Sequence, residues 1–409
     1  MKELLKKPLR AVGISIALST VMAVPALAET LRVTVAYYSD ATEPYFRAQA
    51  EQFAKAHPGT DVEIEVVNWD SLQQKLTTDI ASGNAPDLAL IGTRWIVEFA
   101  DAGLLEPLGN YGGEAFKSRF IGAFLSPGEI DGTLYGLPIA ASARAMYYNK
   151  TLFEEAGVTS VPQTWDDVEK AADRIADTGN YGFGLQGKEI DTDVYFYLPF
   201  WTNGGELLND AGEPDFDSPA GIKTATIYQT LIQDNLTQPG VTGYNREDVQ
   251  NLFKQGRLGM VLSLPFLANQ IKDEAPDLDY GIAAIPNGGT PATYAVTDSM
   301  VMFADSDVKD EAWAFLDQIF QPEARIEFTK AEGFLPTTVG EAADPYFQNN
   351  ADLKAFVDLL PTAKFAPLIA NWEGFSTSVI RALQSLYLGE LTPEEAMKQA
   401  DADATVAMQ

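Results

Sequence analysis

The first hundred residues of the chain alternate between strand patterns and helix patterns, and this alternation constrains the fold more than any other feature. Buried strands are predicted over residues 31–36, 61–67 and 86–91, and each precedes apolar residues at helical spacing, such as Phe46, Ala50 and Phe53. Parallel strands need a crossover connection, which is usually a helix. The pattern therefore predicts an α/β fold with a parallel sheet.

Polar and aromatic side chains follow each of these three strands. Ligands of open parallel sheets bind at the carboxyl ends of the strands, where loops and helix amino termini offer unpaired donors. We therefore expect a binding site at this edge of the sheet. The residues concerned are Tyr38 and Ser39 after the first strand, Trp69 and Gln73 after the second, and Thr93, Arg94 and Trp95 after the third.

Residues 131–165, DGTLYGLPIAASARAMYYNKTLFEEAGVTSVPQTW, contain several local structure signals. Asp131-Gly132 predicts a tight turn. Residues 145–148 form an apolar run of strand length, and a short helix then ends at Gly157. Thr164 is a good N-cap for the next helix, with Asp167 three residues later.

Four motifs in this stretch, in this order, resemble the signature of bacterial extracellular solute-binding protein family 1, the maltodextrin-binding-protein-like sugar receptors of ABC importers. They are Tyr-Gly-Leu-Pro at 135–138, Tyr-Asn-Lys at 148–150, Ala-Gly at 156–157 and Pro-x-Thr-Trp at 162–165. The resemblance extends over nearly the whole chain after the leader, with Phe266 where the family usually has tryptophan. It implies the periplasmic-binding-protein type II fold, in which two discontinuous α/β lobes are joined by a hinge. The expected limits are 29–139 plus 299–337 for the N-terminal lobe and 140–298 plus 338–409 for the C-terminal lobe.

Residues 1–28 are predicted to be a signal peptide, because basic residues precede an apolar run and the small-residue site Ala26-Leu27-Ala28. The sequence has no cysteine, so no lipid-modified cysteine is expected and the protein is predicted to be free in the periplasm. A net charge of −30 argues against nucleic acid or an anionic membrane as partner. The resemblance implies a monomer that delivers its ligand to the membrane permease subunits of an ABC transporter.

A sugar site needs aromatic faces for the ring and polar groups for the hydroxyls. Trp95, Trp201 and Phe266 are the favoured aromatic platforms, because the sequence places them at strand exits or glycine turns rather than on helix core faces. Trp165 and Trp313 are assigned to packing. The candidate ligand-binding residues are Tyr38, Ser39, Trp69, Gln73, Thr93, Arg94, Trp95, Ser142, Trp201, Asn203, Gly204, Pro265, Phe266, Asp298, Ser299 and Trp372.

Arg94 leaves three interpretations open. A guanidinium in a cleft binds a carboxylate, sulfonate or phosphate as a fork, and it also donates to neighbouring sugar hydroxyls. The third interpretation is an ordinary surface salt bridge. One position in a motif does not separate them.

Two other functions remain as alternatives to a receptor for a sugar, oligosaccharide, sugar acid, sulfonate or polyol. A receptor of the same fold for ferric iron or a cationic solute could use the tyrosine pairs 37–38 and 147–148, although the single histidine, His57, lies in a helix-ending turn. A glycoside hydrolase needs two opposed carboxylates, and 58 acidic residues make that criterion uninformative. The chain is predicted to bind without catalysis, with no catalytic residue, metal or cofactor.

Overall fold

The computed structural model describes residues 29–188, 191–369 and 371–409, so the predicted signal peptide lies outside the described residues. The strands are β1 (Glu29–Ala36), β2 (Thr60–Val67), β3 (Leu88–Gly92), β4 (Glu129–Ile130), β5 (Thr133–Leu134), β6 (Gly136–Ser142), β7 (Ala145–Asn149), β8 (Tyr181–Phe183), β9 (Leu258–Ser263), β10 (Tyr280–Ala283), β11 (Thr293–Tyr294), β12 (Val296–Met302) and β13 (Ala363–Lys364).

The α-helices are α1 (Thr42–Ala56), α2 (Trp69–Ala81), α3 (Ile96–Asp101), α4 (Gly109–Lys117), α5 (Gly122–Leu125), α6 (Lys150–Glu155), α7 (Trp165–Ala176), α8 (Thr192–Thr202), α9 (Pro219–Gln233), α10 (Arg246–Lys254), α11 (Phe266–Glu274), α12 (Lys309–Ile319), α13 (Pro322–Glu332), α14 (Val339–Ala342), α15 (Pro345–Asn349), α16 (Ala351–Val357), α17 (Trp372–Tyr387) and α18 (Pro393–Ala407). Within the described ranges, no helix is both long enough and apolar enough to cross a membrane.

The first sheet has five strands in the order β2-β1-β3-β12-β6. Strand β1 pairs in parallel with β2 and β3, as the strand and helix alternation predicts. Strand β12 is antiparallel to both β3 and β6. A strand from late in the chain therefore lies within an otherwise parallel sheet.

The second sheet has four strands in the order β10-β7-β9-β8. Strand β7 lies antiparallel between β10 and β9, and β8 pairs in parallel with β9. The predicted strand at 145–148 is therefore central in this sheet. It is buried on both faces, which explains its continuous apolar run.

The buried apolar residues form two separate cores, one on each sheet. Apart from Phe124, which belongs to the second core, the membership of the cores first changes within β6, where Ala140 belongs to the first core and Ala141 to the second. A later change falls between Phe334 of the first core and Leu335 of the second. Two lobes, each made of separate chain segments, are thus present, while the lobe limits given above stay a prediction.

Several local predictions are confirmed. Asp131 and Gly132 both have positive φ, 50° and 77°, and form the two-residue turn between β4 and β5. Thr164 and Asp167 form a capping box at the start of α7. Trp165 is buried in the second core, as expected for a packing residue.

The local prediction for Trp201 is wrong. The sequence places Trp201 at a glycine turn rather than on a helix, whereas in the structure it is the penultimate residue of α8 and lies in the second core. Every residue of α8 is buried. A helix that is buried on all sides has no polar face, so its sequence carries no helical periodicity to recognise.

A buried ion pair lies beside the chain crossings. Arg325 of α13 and Glu341 of α14 are 3.2 Å apart, and both side chains are fully buried. Arg325 Nη2 also donates to the carbonyl oxygen of Ile139 in β6. Glu341 accepts bonds from the backbone N–H groups of Thr337 and Thr338. The pair therefore joins β6, where the chain first passes between the lobes, to the segment that follows the later change at Leu335.

We expect Glu341→Gln to lower the free energy of unfolding by about 3–5 kcal/mol, because the substitution leaves the Arg325 guanidinium buried without its counter-charge. Urea denaturation followed by circular dichroism measures the change. The control is Asp317→Asn, which removes the partner of Arg119 in a pair whose side chains are 39% and 41% exposed. That control should cost less than about 1 kcal/mol, and equal losses for the two variants would contradict this assignment.

Candidate ligand-binding site

The aromatic residues that follow the first three strands meet at one edge of the first sheet, as predicted. The ring centroids of Tyr38 and Trp69 are 5.8 Å apart, and those of Trp69 and Trp95 are 5.7 Å apart. Gln73 lies one helical turn after Trp69 in α2 and therefore on the same side of the helix. The strand exits thus form a continuous aromatic surface, in which Trp95 itself is only 3% exposed and belongs to the first core.

The residues after β1 also contact the end of α13 and β12, the strand along which the chain passes from Tyr294 of the second core, two residues before the strand, to Met300 of the first. Tyr38 Oη donates to Asp298 Oδ2 at 2.7 Å. Ser39 Oγ donates to Glu332 Oε2 at 2.8 Å. Burial raises the pKa of Asp298 to about 6, against the opposing effects of the Tyr38 hydrogen bond and the charge of Arg94.

Thr93 and Ser299, two residues predicted to contact the ligand, are hydrogen-bonded to each other. Thr93 Oγ1 and Ser299 Oγ are 2.7 Å apart, and Thr297 Oγ1 donates to Thr93 Oγ1 at 3.0 Å. All three residues are buried. This hydroxyl cluster fixes the exit of β3 against β12, and a role of Thr93 and Ser299 in ligand contact stays a prediction.

On the side of the second lobe, two arginines converge on one carboxylate. Arg246 Nη1 is 2.8 Å from Asp191 Oδ2, and Arg144 Nη2 is 3.6 Å from Asp191 Oδ1. Arg144 also donates to Ser142 Oγ at 3.3 Å. The guanidinium of Arg246 lies 5.4 Å from the ring centroid of Phe266. Ser142 and Phe266, both predicted site residues, therefore lie next to this charged group.

A second buried carboxyl group lies close by in α8. Asp193 Oδ2 accepts a hydrogen bond from Ser376 Oγ of α17 at 2.8 Å. Its other oxygen, Oδ1, has no hydrogen-bond partner among the described residues, and neither has the hydroxyl of Tyr197. Burial raises the pKa of Asp193 to about 6, while the Ser376 bond acts in the opposite direction.

The remaining predicted residues lie mainly in the second lobe. Trp201 stacks on Tyr294 with centroids 5.4 Å apart, and Trp372 stacks on Phe375 at the same separation. Both tryptophans belong to the second core. Asn203 donates to Thr224 Oγ1 at 3.1 Å. Gly204 is exposed in the turn after α8, and Pro265 is buried before α11.

The two lobes touch through side chains of the predicted site. Glu373 of α17 accepts bonds from Trp95 Nε1 at 2.6 Å and from Arg94 Nε at 3.3 Å. Burial alone would lower the pKa of Arg94, but Glu373 and other nearby acidic groups raise it above its ordinary value. At a second contact, Gly333 lies so close to Phe266 and Asn269 that a Cβ atom there would meet them at 3.1 Å and 2.7 Å. These contacts hold the two lobes together.

Three of the four tyrosines that an iron site would use donate their hydroxyl groups to other groups of the protein. Tyr147 Oη donates to the carbonyl oxygen of Leu264 at 2.9 Å inside the second core. Tyr37 Oη donates to Asp40 at 2.8 Å, whereas Tyr38 Oη donates to Asp298. The two pairs thus belong to different parts of the molecule.

A groove of about 530 Å³ on the outer side of the first lobe lies away from these residues. Its three cationic side chains are Arg32, Arg47 and Lys75, and each is paired with a carboxylate: Arg32 with Asp87, Arg47 with Glu43, and Lys75 with Glu65 and Asp79. None of the predicted site residues lines this groove, so it is separate from the candidate site.

Comparison with known proteins identifies the family. The bacterial extracellular solute-binding protein family matches residues 39–326 of the chain. A binding protein of Brucella abortus is 53% identical over 378 residues, which cover 91% of this chain and 92% of the relative. The chain belongs to the bacterial extracellular solute-binding protein family.

Two further relatives have named ligands. The maltotriose-binding protein of Pyrococcus abyssi is 26% identical over 352 residues, covering 83% of this chain and 74% of the relative. An ABC transporter solute-binding protein from Thermotoga lettingae, solved with α-D-tagatose, superposes with a TM-score of 0.85 at 26% identity, covering 93% of this chain and all of that one.

Membership confirms several expectations from the sequence. The fold is the type II periplasmic-binding-protein fold with two discontinuous α/β lobes and a hinge. The family and the similar structures are binding proteins rather than enzymes. The family is extracellular or periplasmic, as expected for a receptor of an ABC importer.

The sequence prediction missed Tyr294 and most of the charged residues of the candidate site, namely Arg144, Asp191, Asp193, Arg246 and Glu373. Only weak signals existed for them. Glu373 follows the predicted Trp372, and Asp191 and Asp193 directly precede the aromatic run that contains Trp201. Their pairing connects residues far apart in the chain, which no local pattern reveals.

The raised pKa of Asp298 gives a pH dependence of stability. The folded state holds the proton up to about pH 6, whereas an unfolded aspartate loses it near pH 3.9. The stabilisation from Asp298 is therefore complete at low pH and is lost as the pH rises from about 4 to about 6.

When the pH is raised from 4 to 7.5, the wild type should lose roughly 1–3 kcal/mol of its free energy of unfolding relative to Asp298→Asn, because asparagine has no proton to lose. Urea denaturation at both pH values measures the difference. Asp305→Asn, at an exposed position, serves as the control and should show no such trend. If the free energies of unfolding of the wild type and Asp298→Asn differed by the same amount at both pH values, the raised pKa of Asp298 would be contradicted.

Proposed function

We propose that this protein is the periplasmic receptor of an ABC importer for a carbohydrate, namely a sugar, oligosaccharide, sugar acid, sulfonate or polyol, and that the ligand binds between the two lobes. The observation that carries the proposal is the combination of an aromatic surface, formed by Tyr38, Trp69 and Trp95, with carboxyl groups that accept hydrogen bonds from hydroxyl groups. Aromatic faces suit the C–H faces of sugar rings, and carboxylates suit their hydroxyls.

The relatives support this ligand class. The maltotriose-binding and tagatose-bound proteins both carry a carbohydrate in their names, and both match most of this chain. We carry that ligand class over to this chain as a proposal. In the same sense we propose that the protein is a monomer without catalytic activity, that it is free in the periplasm, and that it presents its closed form to the permease subunits of the transporter.

The proposed mechanism is hinge closure around the ligand. The first lobe supplies the aromatic surface, and the second lobe supplies Phe266 and the charged group around Asp191. A ligand that contacts both lobes stabilises the closed state only by its additional contacts to the second lobe. The predicted lobe limits, 29–139 plus 299–337 and 140–298 plus 338–409, complete this proposal.

A thermal-shift screen tests the ligand class. Protein that has been unfolded, stripped of ligand and refolded is screened against neutral sugars, oligosaccharides, polyols, sugar acids, sulfonates, polyamines and ferric salts. A ligand at a hundredfold excess over its dissociation constant stabilises by about 2.7 kcal/mol, which is enough to shift the melting temperature by a degree or more. Stabilisation by a carbohydrate supports the proposal, and stabilisation by ferric or cationic solutes alone would overturn it.

We expect Phe266→Ala to weaken binding of the carbohydrate found in this screen by about 1.5–3 kcal/mol, the value of burying a phenyl ring. Isothermal titration calorimetry measures the dissociation constant. The control is Tyr181→Ala, since Tyr181 is also half-buried and also has a guanidinium, that of Arg257, 5.4 Å from its ring centroid. Unchanged affinity for Phe266→Ala, or an equal loss for both variants, would remove Phe266 from the site.

A further inference from the structure

Each guanidinium of the candidate site already has a carboxylate partner. Arg144 and Arg246 share Asp191, at 3.6 Å and 2.8 Å. Arg94 Nε lies 3.3 Å from Glu373 Oε1. An anionic ligand group would therefore have to share a guanidinium with a carboxylate, or displace that carboxylate into a region of low dielectric.

Carboxyl groups also outnumber guanidinium groups at the site. Asp193 and Asp298 are bonded to the hydroxyls of Ser376 and Tyr38 rather than to cations. Like charges brought together in a buried site repel each other, so these carboxyl groups disfavour an additional anion. They are suitable acceptors for the hydroxyl groups of an uncharged ligand.

Glu373 differs from the other carboxylates because it comes from the opposite lobe to its partners. Arg94 and Trp95 follow β3 of the first lobe, whereas Glu373 lies in the first turn of α17 in the second lobe. The side chains of Arg94 and Glu373 are only 16% and 29% exposed in this arrangement of the lobes. Arg94 therefore has this counter-charge only while the two lobes are in contact.

We propose that Glu373 is a specificity-determining residue: it neutralises Arg94 on closure and thereby restricts the receptor to uncharged carbohydrates or polyols, excluding sugar acids, sulfonates and sugar phosphates. This inference rests on the proposed function and specifies its ligand class. Arg94, which the sequence left open between three roles, then acts as the partner of Glu373 and as a donor to ligand hydroxyls.

The test compares each neutral sugar or polyol that stabilises the wild type with the acids made by oxidising its terminal carbon atoms, for example D-glucose with D-glucuronate and D-gluconate. Calorimetry gives the ratio of dissociation constants, acid over neutral, for four proteins: wild type, Glu373→Gln, Glu373→Asp and Glu390→Gln. Glu390 is exposed and lies beyond the C-terminal end of α17, whose stretch from Glu373 to Tyr387 is about 21 Å long at the rise of a regular helix. Its substitution therefore makes the same change in net charge outside the site.

For the wild type, the neutral compound should bind at least about tenfold more tightly than its acid. Glu373→Gln should reduce that ratio by about tenfold to a hundredfold, the typical range of a charge-assisted hydrogen bond, chiefly by gaining affinity for the acid. The gained affinity should fall with added salt. Glu373→Asp and Glu390→Gln should keep the wild-type preference.

Three outcomes are decisive against the inference. A wild type that binds an acid as tightly as its neutral counterpart refutes the exclusion of anions while leaving the proposed function intact. A ratio that does not change in Glu373→Gln refutes the role of this residue alone. The absence of any response to carbohydrates in all four proteins, each with an unaltered circular dichroism spectrum, would overturn the proposed function and this inference with it.

Discussion

A cleft that closes takes charged side chains out of water, and each of them needs a partner in the closed state. This constraint organises the interface between the lobes. Arg144 and Arg246 satisfy it within the second lobe by sharing Asp191. Among the described residues, the carboxylate partner of Arg94 comes from across the interface, in Glu373. Directional contacts of this kind act together with apolar packing across the interface, where Phe266 of the second lobe packs against the first core.

The crossing strand β12 connects this interface to the hinge. It lies between β3 and β6, and its residues contact two strand exits of the first lobe: Tyr38 bonds Asp298, and Thr93 bonds Ser299. The aromatic surface is thus fixed to the strand through which the chain passes between the lobes. The buried pair of Arg325 and Glu341 performs a similar function at the other crossings. Ligand-facing groups and hinge segments are in this way parts of one hydrogen-bonded unit.

The sequence predicted the parts of the structure that depend on neighbouring residues. Strands β1 to β3, the turn at Asp131-Gly132 and the capping box at Thr164 follow from local spacing and residue type, and all three predictions are confirmed. The resemblance to solute-binding proteins supplied the two-lobed arrangement. The pairing of Arg94 with Glu373 connects residues 279 positions apart, and no local pattern contains it. Trp201 was misplaced because a helix buried on all sides lacks an amphipathic pattern.

The structure also changes how the charge of Arg94 should be interpreted. A surface salt bridge is screened and contributes little, whereas a partly buried pair loses much of its Coulombic attraction to desolvation. The Arg94 and Glu373 pair is mostly buried, so its net contribution to closure is small even though its geometry is specific. A ligand shifts the equilibrium between the open and closed states only by the difference in its affinity for the two, and the residues that it meets on the second lobe determine that difference.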